Sequence, residues 1–282
     1  MNNYFCGWYF KCQSQTQSLA LIPALHITDG QSSCSLQLIS NAGSWNIPLP
    51  AAGAKMQKRE PVAALDGARF CKDGIHLDVH DTSCSAVGSL RFGPPSPIRY
   101  DIMGPFHYVP FMECRHSVFS MRHSVDGCLT INGIDYCFQN SDGYIEGDRG
   151  RSFPRHYAWT QCFFPEGSLM LSVAEIPIGP IHFTGVIGVI HLNGVEYRLA
   201  TYCGAKAAKI RDGQMVIRQG ALTLTATLLE NTARPLHAPQ NGAMVRTIRE
   251  NIACHAQYHL SKNGKTILEF ETSTASFEYE SP

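Results

Sequence analysis

The amino-acid sequence predicts an all-β protein of two tandem antiparallel β units, each a barrel or a sandwich, with very little helix. Three observations lead to this prediction: a composition poor in charge, a series of hairpin turns and an internal repeat. Charged residues make up only 16% of the 282 positions, whereas 24 positions are glycine and 16 are proline. Amphipathic helices need charged faces, so this composition favours short strands joined by tight turns.

Asn-Gly and Asp-Gly pairs mark the predicted hairpin turns. An Asn-Gly pair between alternating apolar residues favours a type I′ turn, which needs positive φ at both central residues. Asn-Gly pairs occur at positions 132–133, 193–194 and 263–264, and Asp-Gly pairs occur at 73–74, 126–127 and 212–213. Hairpins at all of these positions would give the chain roughly a dozen strands or more.

The internal repeat divides the chain into two halves. WYFKC at Trp8–Cys12 is echoed by WTQC at Trp159–Cys162, and SLALIPALHI at Ser18–Ile27 is echoed by SLMLSVAEIPI at Ser168–Ile178. Both echoes have an offset of about 150 residues, as expected for a duplicated β unit. We therefore expect an N-terminal unit over residues 1–142 and a C-terminal unit over residues 143–282.

A charged segment lies where the two halves meet. Residues 143–155, with sequence GYIEGDRGRSFPR, hold two acids, three arginines and three glycines, and we expect them to form a junction loop. Glu146 and Asp148 are candidate proton donors, and Arg149, Arg151 and Arg155 would tune the acids or hold a polar group of a ligand. The alternative is a structural ion-pair network that joins the two halves.

Charge and composition exclude several classes of function. Lys plus Arg and Asp plus Glu number 23 each, so no basic excess points to nucleic acid. The start of the chain lacks the pattern of a signal peptide and no apolar run is long enough for a membrane-spanning helix, so we expect a cytoplasmic protein, with peripheral membrane contact left open. The eleven cysteines include no C-x-x-C pair and are expected to be mostly buried thiols. The histidine spacings do not predict a metal site, and no metal or cofactor is expected.

Three blocks of the sequence resemble the tocopherol cyclase family. FCGWYFK at Phe5–Lys11 is similar to the opening F-E-G-W-Y-F-K/R of that family, and GRSFPRHYAWTQC at Gly150–Cys162 is similar to its central segment. The stretch from Arg234 to Leu260, followed by GKTILEFETSTASFEYE at Gly264–Glu280, resembles its C-terminal region. This chain departs from the family at Cys6, where an acid is usual, and at residues 148–149, where the plant enzymes have Asn-Trp.

The resemblance implies two lipocalin-like units, an apolar prenyl or polyene ligand and a relationship to carotenoid hydratases. It also implies cofactor-free chemistry, in which an acid protonates a double bond and cyclisation or hydration follows. The expected ligand-binding residues are Trp8, Tyr9, His26, Phe153, Tyr157, Trp159 and Gln161. Two other functions stay open: a lipocalin-like lipid-binding protein without catalysis, and a scaffold that acts through a protein partner.

Overall fold

The computed structural model describes residues 3–110, 112–178 and 181–280. Two antiparallel sheets contain most of this part of the chain, with 71% of the residues in strands, so the all-β prediction is confirmed. Its only helical segments are two short 3-10 turns, Gly104–Tyr108 and Thr201–Cys203. Within the described residues, no helix has the length and the apolar character that crossing a membrane requires.

The first sheet has eleven strands in the order β4-β3-β2-β1-β11-β10-β9-β8-β7-β6-β5. Its strands are β1 (Tyr4–Gln13), β2 (Ser18–Thr28), β3 (Gln31–Ser40), β4 (Ser44–Leu49), β5 (Lys55–Met56), β6 (Ala63–Leu65), β7 (Ala68–Cys71), β8 (Gly74–His80), β9 (Ser85–Phe92), β10 (Cys114–Ile131) and β11 (Ile134–Gly150). One hydrophobic core takes side chains from strands near both ends of this order, including Ile47 on β4 and Phe70 on β7. The sheet therefore curls around its own core.

The second sheet has ten strands, with the path β15-β14-β13-β12-β21-β20-β18-β17-β16 and β19 paired to β20. Its strands are β12 (Tyr157–Phe164), β13 (Gly167–Ile178), β14 (Ile181–Leu192), β15 (Val195–Ala200), β16 (Lys206–Arg211), β17 (Gln214–Gln219), β18 (Leu222–Leu228), β19 (Arg234–Gln240), β20 (Ala243–Lys262) and β21 (Lys265–Glu280). A separate hydrophobic core, which includes Cys162, Met215 and Phe277, fills its interior.

The chain folds as two compact units. Unit 1 comprises residues 1–101, 109–153 and 236–247, and unit 2 comprises residues 102–108, 154–235 and 248–282. The boundary predicted between residues 142 and 143 falls inside β11. The junction loop predicted over residues 143–155 is therefore corrected, since residues 143–150 are the end of β11 and pair with both β1 and β10. The glycines in this stretch suggest a loop, but successive residues here face opposite sides of a strand.

The internal repeat corresponds to equivalent strands in the two units. In unit 1, β1 pairs with β2 and β11, and in unit 2, β12 pairs with β13 and β21. Cys12 and Cys162 both lie in a hydrophobic core, which fixes the offset at 150 residues. The two tryptophans do not follow this offset. Trp8 lies in the core of unit 1, and the residue 150 positions later, which lies in the core of unit 2, is Ala158 and not Trp159.

The Asn-Gly pairs are turns, as predicted. All three have positive φ at both residues and join β10 to β11, β14 to β15 and β20 to β21. Asp212-Gly213 forms the β16–β17 turn in the same way. The turn predicted at Asp126-Gly127 is wrong, because this pair lies inside β10. It lies beside an irregularity in the pairing of β10 with β11, where glycine accommodates a bulge.

One pair of cysteines departs from the expectation of thiols. Cys128 and Cys137 lie directly opposite each other on β10 and β11 and form a disulfide, with their Cα atoms 4.2 Å apart. Nine cysteines are free, and six of them are buried. Disulfides are typical of oxidising compartments, so the cytoplasmic location stays a prediction.

Candidate functional site

The candidate site lies on β11 of unit 1. Successive residues of a strand point to opposite faces, so Tyr144, Glu146 and Asp148 share one face of the sheet. Ile145, which lies between them, belongs to the hydrophobic core. The two acids are therefore on the face directed away from the core of unit 1, and not in the interior around which the sheet curls.

A histidine from the neighbouring strand completes the cluster. His116 on β10 lies directly opposite Asp148, and its Nδ1 is 3.0 Å from Asp148 Oδ1. Its Nε2 is 3.2 Å from Glu146 Oε2, which is ion-pair distance without the alignment of a hydrogen bond. One imidazole thus contacts both predicted acids, one at each ring nitrogen.

The surroundings of His116 favour its charged form. Burial alone would lower the pKa of the imidazole, but the carboxylates of Asp148 and then Glu146 outweigh it and hold the pKa well above its usual value. The two carboxylates therefore favour the imidazolium form of the ring. In that form Nδ1 donates its proton to Asp148, whereas the proton on Nε2 faces Glu146 without an aligned hydrogen bond.

Tyr144 fixes the position of Glu146 from the same strand. Its hydroxyl donates to Glu146 Oε2 over 2.5 Å, and this contact lies in a buried environment. Burial, together with the charge of Glu146, holds the pKa of Tyr144 well above its usual value, so the phenol keeps its proton. Cys114 Sγ lies 3.4 Å from Asp148 Oδ1 and provides a weak second contact for that carboxylate.

Access to the cluster is greater at one end. The side chain of Glu146 is 8% exposed, whereas that of Asp148 is 22% exposed. Asp148 therefore lies at the mouth of the cluster, and the Tyr144–Glu146 pair lies at its buried end.

The same three side chains could be considered as metal ligands. The nearest donor atoms of His116, Glu146 and Asp148 all lie within 4.8 Å of one another. Metal binding requires neutral imidazole, however, and the two carboxylates favour the protonated ring. A proton on the His116 ring and a metal ion at this cluster therefore compete. The expectation that the protein binds no metal stays a prediction.

The predicted arginines have other contacts. Arg149 lies on the opposite face of β11 from Asp148, and its Nη1 donates to Ser117 Oγ over 3.0 Å. Arg151 is exposed and donates to Asn241 Oδ1 over 3.3 Å. Arg155 is exposed and belongs to unit 2. The group that directly contacts both acids in unit 1 is His116, which the sequence interpretation did not select.

The predicted ligand-binding residues of unit 1 occupy two faces. Trp8 is part of the hydrophobic core, and its Nε1 donates to the carbonyl of Gln57 over 2.9 Å. Tyr9, directly opposite Glu146 on β1, lies on the same face as the acids. His26 on β2 lies on this face too, and Phe153 packs edge-on against Phe5 with ring centroids 5.5 Å apart.

The predicted residues of unit 2 lie on the face of β12 directed away from its core. Tyr157, Trp159 and Gln161 alternate with the core residues Ala158 and Cys162. The hydroxyl of Tyr157 donates to Glu278 Oε2 on β21 in a short hydrogen bond. Glu278 lies opposite Trp159 as Glu146 lies opposite Tyr9, so the repeat makes the two glutamates equivalent.

Solved structures of other proteins share this fold at low sequence identity. CghA superposes with a TM-score of 0.63 at 10% identity, over 99% of this chain and 88% of its own. The complex of CghA with Sch210972 gives 0.62 at 10% identity, over 99% and 89%. Kievitone hydratase from Nectria haematococca gives 0.57 at 8% identity, over 99% and 90%. No protein-family model and no curated protein sequence matches the chain. These likenesses show a common fold, and they agree with the fold that the resemblance to tocopherol cyclases implies.

Proposed function

We propose that the protein binds an apolar small molecule of the prenyl or polyene class and catalyses a cofactor-free cyclisation or hydration of one of its double bonds. The observation that carries this proposal is the position of His116, whose ring is buried between two carboxylates with its Nε2 outside an aligned hydrogen bond. In the proposed reaction, a proton on this Nε2 is the one that the ligand receives. A general acid and a general base side by side are the groups that these reactions need.

The cluster assigns the two proton-transfer roles to different residues. In the proposed hydration, Glu146 accepts a proton from water, the hydroxyl adds to one carbon of the double bond, and His116 Nε2 gives its proton to the other carbon. Afterwards Glu146 returns its proton to His116 across the 3.2 Å between them. In a cyclisation, a hydroxyl of the ligand replaces water and its oxygen closes the ring. Both cycles balance without a cofactor.

This assignment revises the expectation for the acids. Glu146 and Asp148 were the candidate proton donors, but each contacts the imidazolium and Glu146 also accepts from Tyr144. We therefore assign donation to His116 and acceptance to Glu146, with Asp148 holding the ring. An imidazolium with a raised pKa is a modest acid, so we expect a double bond that is polarised by conjugation.

The structural relatives support a small-molecule function by analogy of fold. The name of kievitone hydratase describes the hydration of kievitone, and CghA was crystallised with Sch210972. A hydration or cyclisation is thus a reasonable chemistry for this fold, although folds host many functions. We expect no nucleic-acid partner, action in the cytoplasm, and at most peripheral contact with a membrane.

A binding protein without catalysis is the second candidate. Its support is that His116, Glu146 and Tyr144 contact one another, as the members of a structural ion network do. Under this alternative the apolar ligand is the same, but the cluster only stabilises unit 1. Variants of His116 would then lower the free energy of unfolding, and there would be no catalytic activity for them to change.

The test begins with native mass spectrometry of protein purified from its own host, to find a co-purifying lipid, followed by incubation with prenylated quinols and conjugated polyenes in D2O. We expect one deuterium on carbon per turnover, no effect of a chelator, and a loss of about 10²- to 10⁴-fold in H116Q and E146Q. The matched control is E278Q, the equivalent glutamate of unit 2, which should keep turnover. Full turnover in both H116Q and E146Q would contradict the proposal.

A further inference from the structure

The disulfide of unit 1 lies on the outer surface of its sheet. Cys128 and Cys137, directly opposite each other on β10 and β11, are both exposed. Their side chains point away from the core of unit 1, because Leu129 and Tyr136, their neighbours in sequence, belong to that core. By contrast, six of the nine free cysteines are buried. The disulfide is therefore open to attack by a thiol from solvent.

The position of this disulfide adds little to the stability of the fold. Its two cysteines are separated by only 9 positions in the sequence, and the Asn132-Gly133 turn already closes the hairpin between them. A disulfide stabilises a protein mainly by restricting the unfolded chain, and the restriction is smallest for a short loop. The bond between Cys128 and Cys137 therefore repeats a connection that the turn and the strand pairing already make.

The other cysteines bear on whether this disulfide is structural or reactive. The disulfide frameworks of secreted proteins pair most of their cysteines, whereas nine of the eleven cysteines of this chain are free. In a protein whose thiols stay reduced, a disulfide is usually transient and takes part in redox chemistry. Exposed disulfides are also the ones that exchange most readily with thiols. Both points favour a reactive disulfide.

A hydroxyl and an imidazole lie in the same row of the sheet as the disulfide. Ser89 on β9 lies directly opposite Cys128, and His76 on β8 lies directly opposite Ser89. His76 Nδ1 is 2.8 Å from Ser89 Oγ, so these two exposed side chains share a hydrogen bond. Both face away from the core, because their neighbours Leu77 and Leu90 belong to it. Directly opposite residues have Cβ atoms about 4.5 to 5.5 Å apart, which brings the Ser89 hydroxyl within reach of Cys128 Sγ.

The two sulfur atoms of the disulfide have different neighbours. Beside Cys137 is Gln17, whose side-chain amide bonds only to backbone groups. Its Oε1 accepts from the N–H of Cys137 over 3.2 Å, and its Nε2 donates to the carbonyl of Asp135 over 2.9 Å. The hydroxyl of Ser89 is instead beside Cys128. A hydrogen bond to a thiolate favours the charged form, so Cys128 is the better leaving group of the two.

We propose that Cys128 and Cys137 form a thiol–disulfide exchange site for low-molecular-weight thiols such as glutathione, with Cys128 as the leaving sulfur. A glutathione thiolate attacks Cys137 Sγ, the bond between the two cysteine sulfurs breaks, and its electron pair stays on Cys128. His76 Nδ1 donates to Ser89 Oγ, which leaves the hydroxyl hydrogen of Ser89 free to bond the Cys128 thiolate. This inference does not rest on the proposed function, since it uses none of the same residues.

A second molecule of glutathione completes the exchange. Its thiolate attacks the glutathione sulfur of the mixed disulfide, glutathione disulfide is released, and Cys137 leaves as a thiolate. The two cysteines then take up two protons from solvent, which replace the two that the glutathione thiols released. The protein disulfide gains two electrons, and two glutathione molecules lose them in forming one glutathione disulfide, so atoms and electrons balance.

The first test treats the native C203S protein with millimolar reduced glutathione and follows its cysteines by acid quenching and peptide mass spectrometry. C203S removes the exposed free thiol of unit 2, which would also react. We expect the disulfide to open while circular dichroism stays unchanged, with the transient glutathione adduct on Cys137. A disulfide that opens only in urea would overturn the inference. An adduct on Cys128 would overturn its assignment as the leaving sulfur.

The second test compares two serines of β9 that each hydrogen-bond a histidine of β8. S89A should slow opening by glutathione about three- to tenfold, because the leaving thiolate loses one hydrogen bond, and S89T should restore the rate. The matched control is S85A, because Ser85 Oγ is 3.0 Å from His80 Nδ1 but lies four positions before Ser89, away from the disulfide. An unchanged rate in S89A, or equal slowing in both alanine variants, would overturn the role of Ser89.

Discussion

Glu146 in unit 1 and Glu278 in unit 2 occupy equivalent positions but have different neighbours. Both face away from their cores, and both accept a hydrogen bond from a tyrosine, Tyr144 in one case and Tyr157 in the other. In unit 1 a histidine reaches the glutamate, whereas in unit 2 the residue directly opposite Glu278 on β20 is another acid, Glu250. The scaffold places the glutamate, and the neighbouring strand decides its charge partner.

The difference extends to the surface beside the glutamate. At the place where unit 1 has Gly7, unit 2 has Tyr157. The equivalent of His116 in unit 2 is found by counting along the paired strands to the residue opposite Glu280. That residue is the buried Ile248. Unit 2 thus has a tyrosine and an isoleucine where unit 1 has a glycine and a histidine. Under the proposed function, unit 1 carries the chemistry and the equivalent place in unit 2 is only packing.

The largest expected effect comes from replacing His116 in unit 1. H116Q leaves Glu146 and Asp148 without their buried positive partner and should lower the free energy of unfolding by about 3 to 5 kcal/mol. Urea denaturation measures this loss. I248V, at the equivalent place in unit 2, should cost only about 1 kcal/mol. Similar losses in the two variants would show that His116 is not charged in the native protein.

The second expected effect is a loss of stability in acid that belongs to unit 1. The pKa values of His26 and His123 are lowered to about 4 by burial, so the unfolded chain binds protons more readily. Stability is therefore complete above about pH 6.5 and falls as the pH is lowered towards 4, by up to about 3 kcal/mol for each histidine. His116 has the opposite sign, because its raised pKa keeps its contribution until the pH rises through the folded value.

Hydrogen exchange measured along this pH range locates the acid effect. Amides of β2 and β10 should lose protection before those of β13 and β18 in unit 2. H123Q should flatten the acid limb of the stability curve. If the amides of unit 2 lose protection first, the acid sensitivity does not come from these histidines.

The third prediction tests whether the two glutamates are equivalent. Y144F and Y157F each remove a hydrogen bond to a buried carboxyl group, and each should cost about 1.5 to 3 kcal/mol. Thermal unfolding of both variants provides the comparison. A loss confined to one of them would mean that only one glutamate depends on its tyrosine.

The smallest effect concerns two glycines on opposite faces of unit 1. A Cβ atom at Gly7 fits without strain, so G7A should change stability by no more than about 0.5 kcal/mol. At Gly147 the same atom would lie 2.6 Å from the ring of Trp8, so G147A should cost about 1 to 3 kcal/mol. Equal costs, measured by urea denaturation, would mean that the surface at Gly7 is already filled.

Much of the fold can be predicted from local features of the sequence. Asn132-Gly133 predicts a hairpin, and it also predicts the disulfide that the sequence interpretation missed, because Cys128 and Cys137 are equally distant from this turn and must face each other. Glu146 and Asp148 were selected from their charge pattern. The same pattern predicts a loop where the structure has strand β11, because glycine and charge are common in loops.

The partner of the acids was harder to predict because it depends on register. His116 and Asp148 are brought together across a long hairpin whose pairing shifts near Val118, Ser120 and Val125. Each shift changes the pairing by a residue, so counting outward from the turn does not give the partner of Asp148. The equivalence of Trp8 and Trp159 was misleading for a similar reason, since a one-residue slip moves a side chain to the other face.

The most direct test of the account is the protonation state of His116. ¹⁵N NMR of histidine-labelled protein, with H116Q used to assign the resonance, reports whether each ring nitrogen carries a proton. We expect both nitrogens of His116 to be protonated in mildly alkaline buffer, whereas His26 and His123 are neutral. A neutral His116 ring under those conditions would contradict the proposal that unit 1 holds an imidazolium between Glu146 and Asp148.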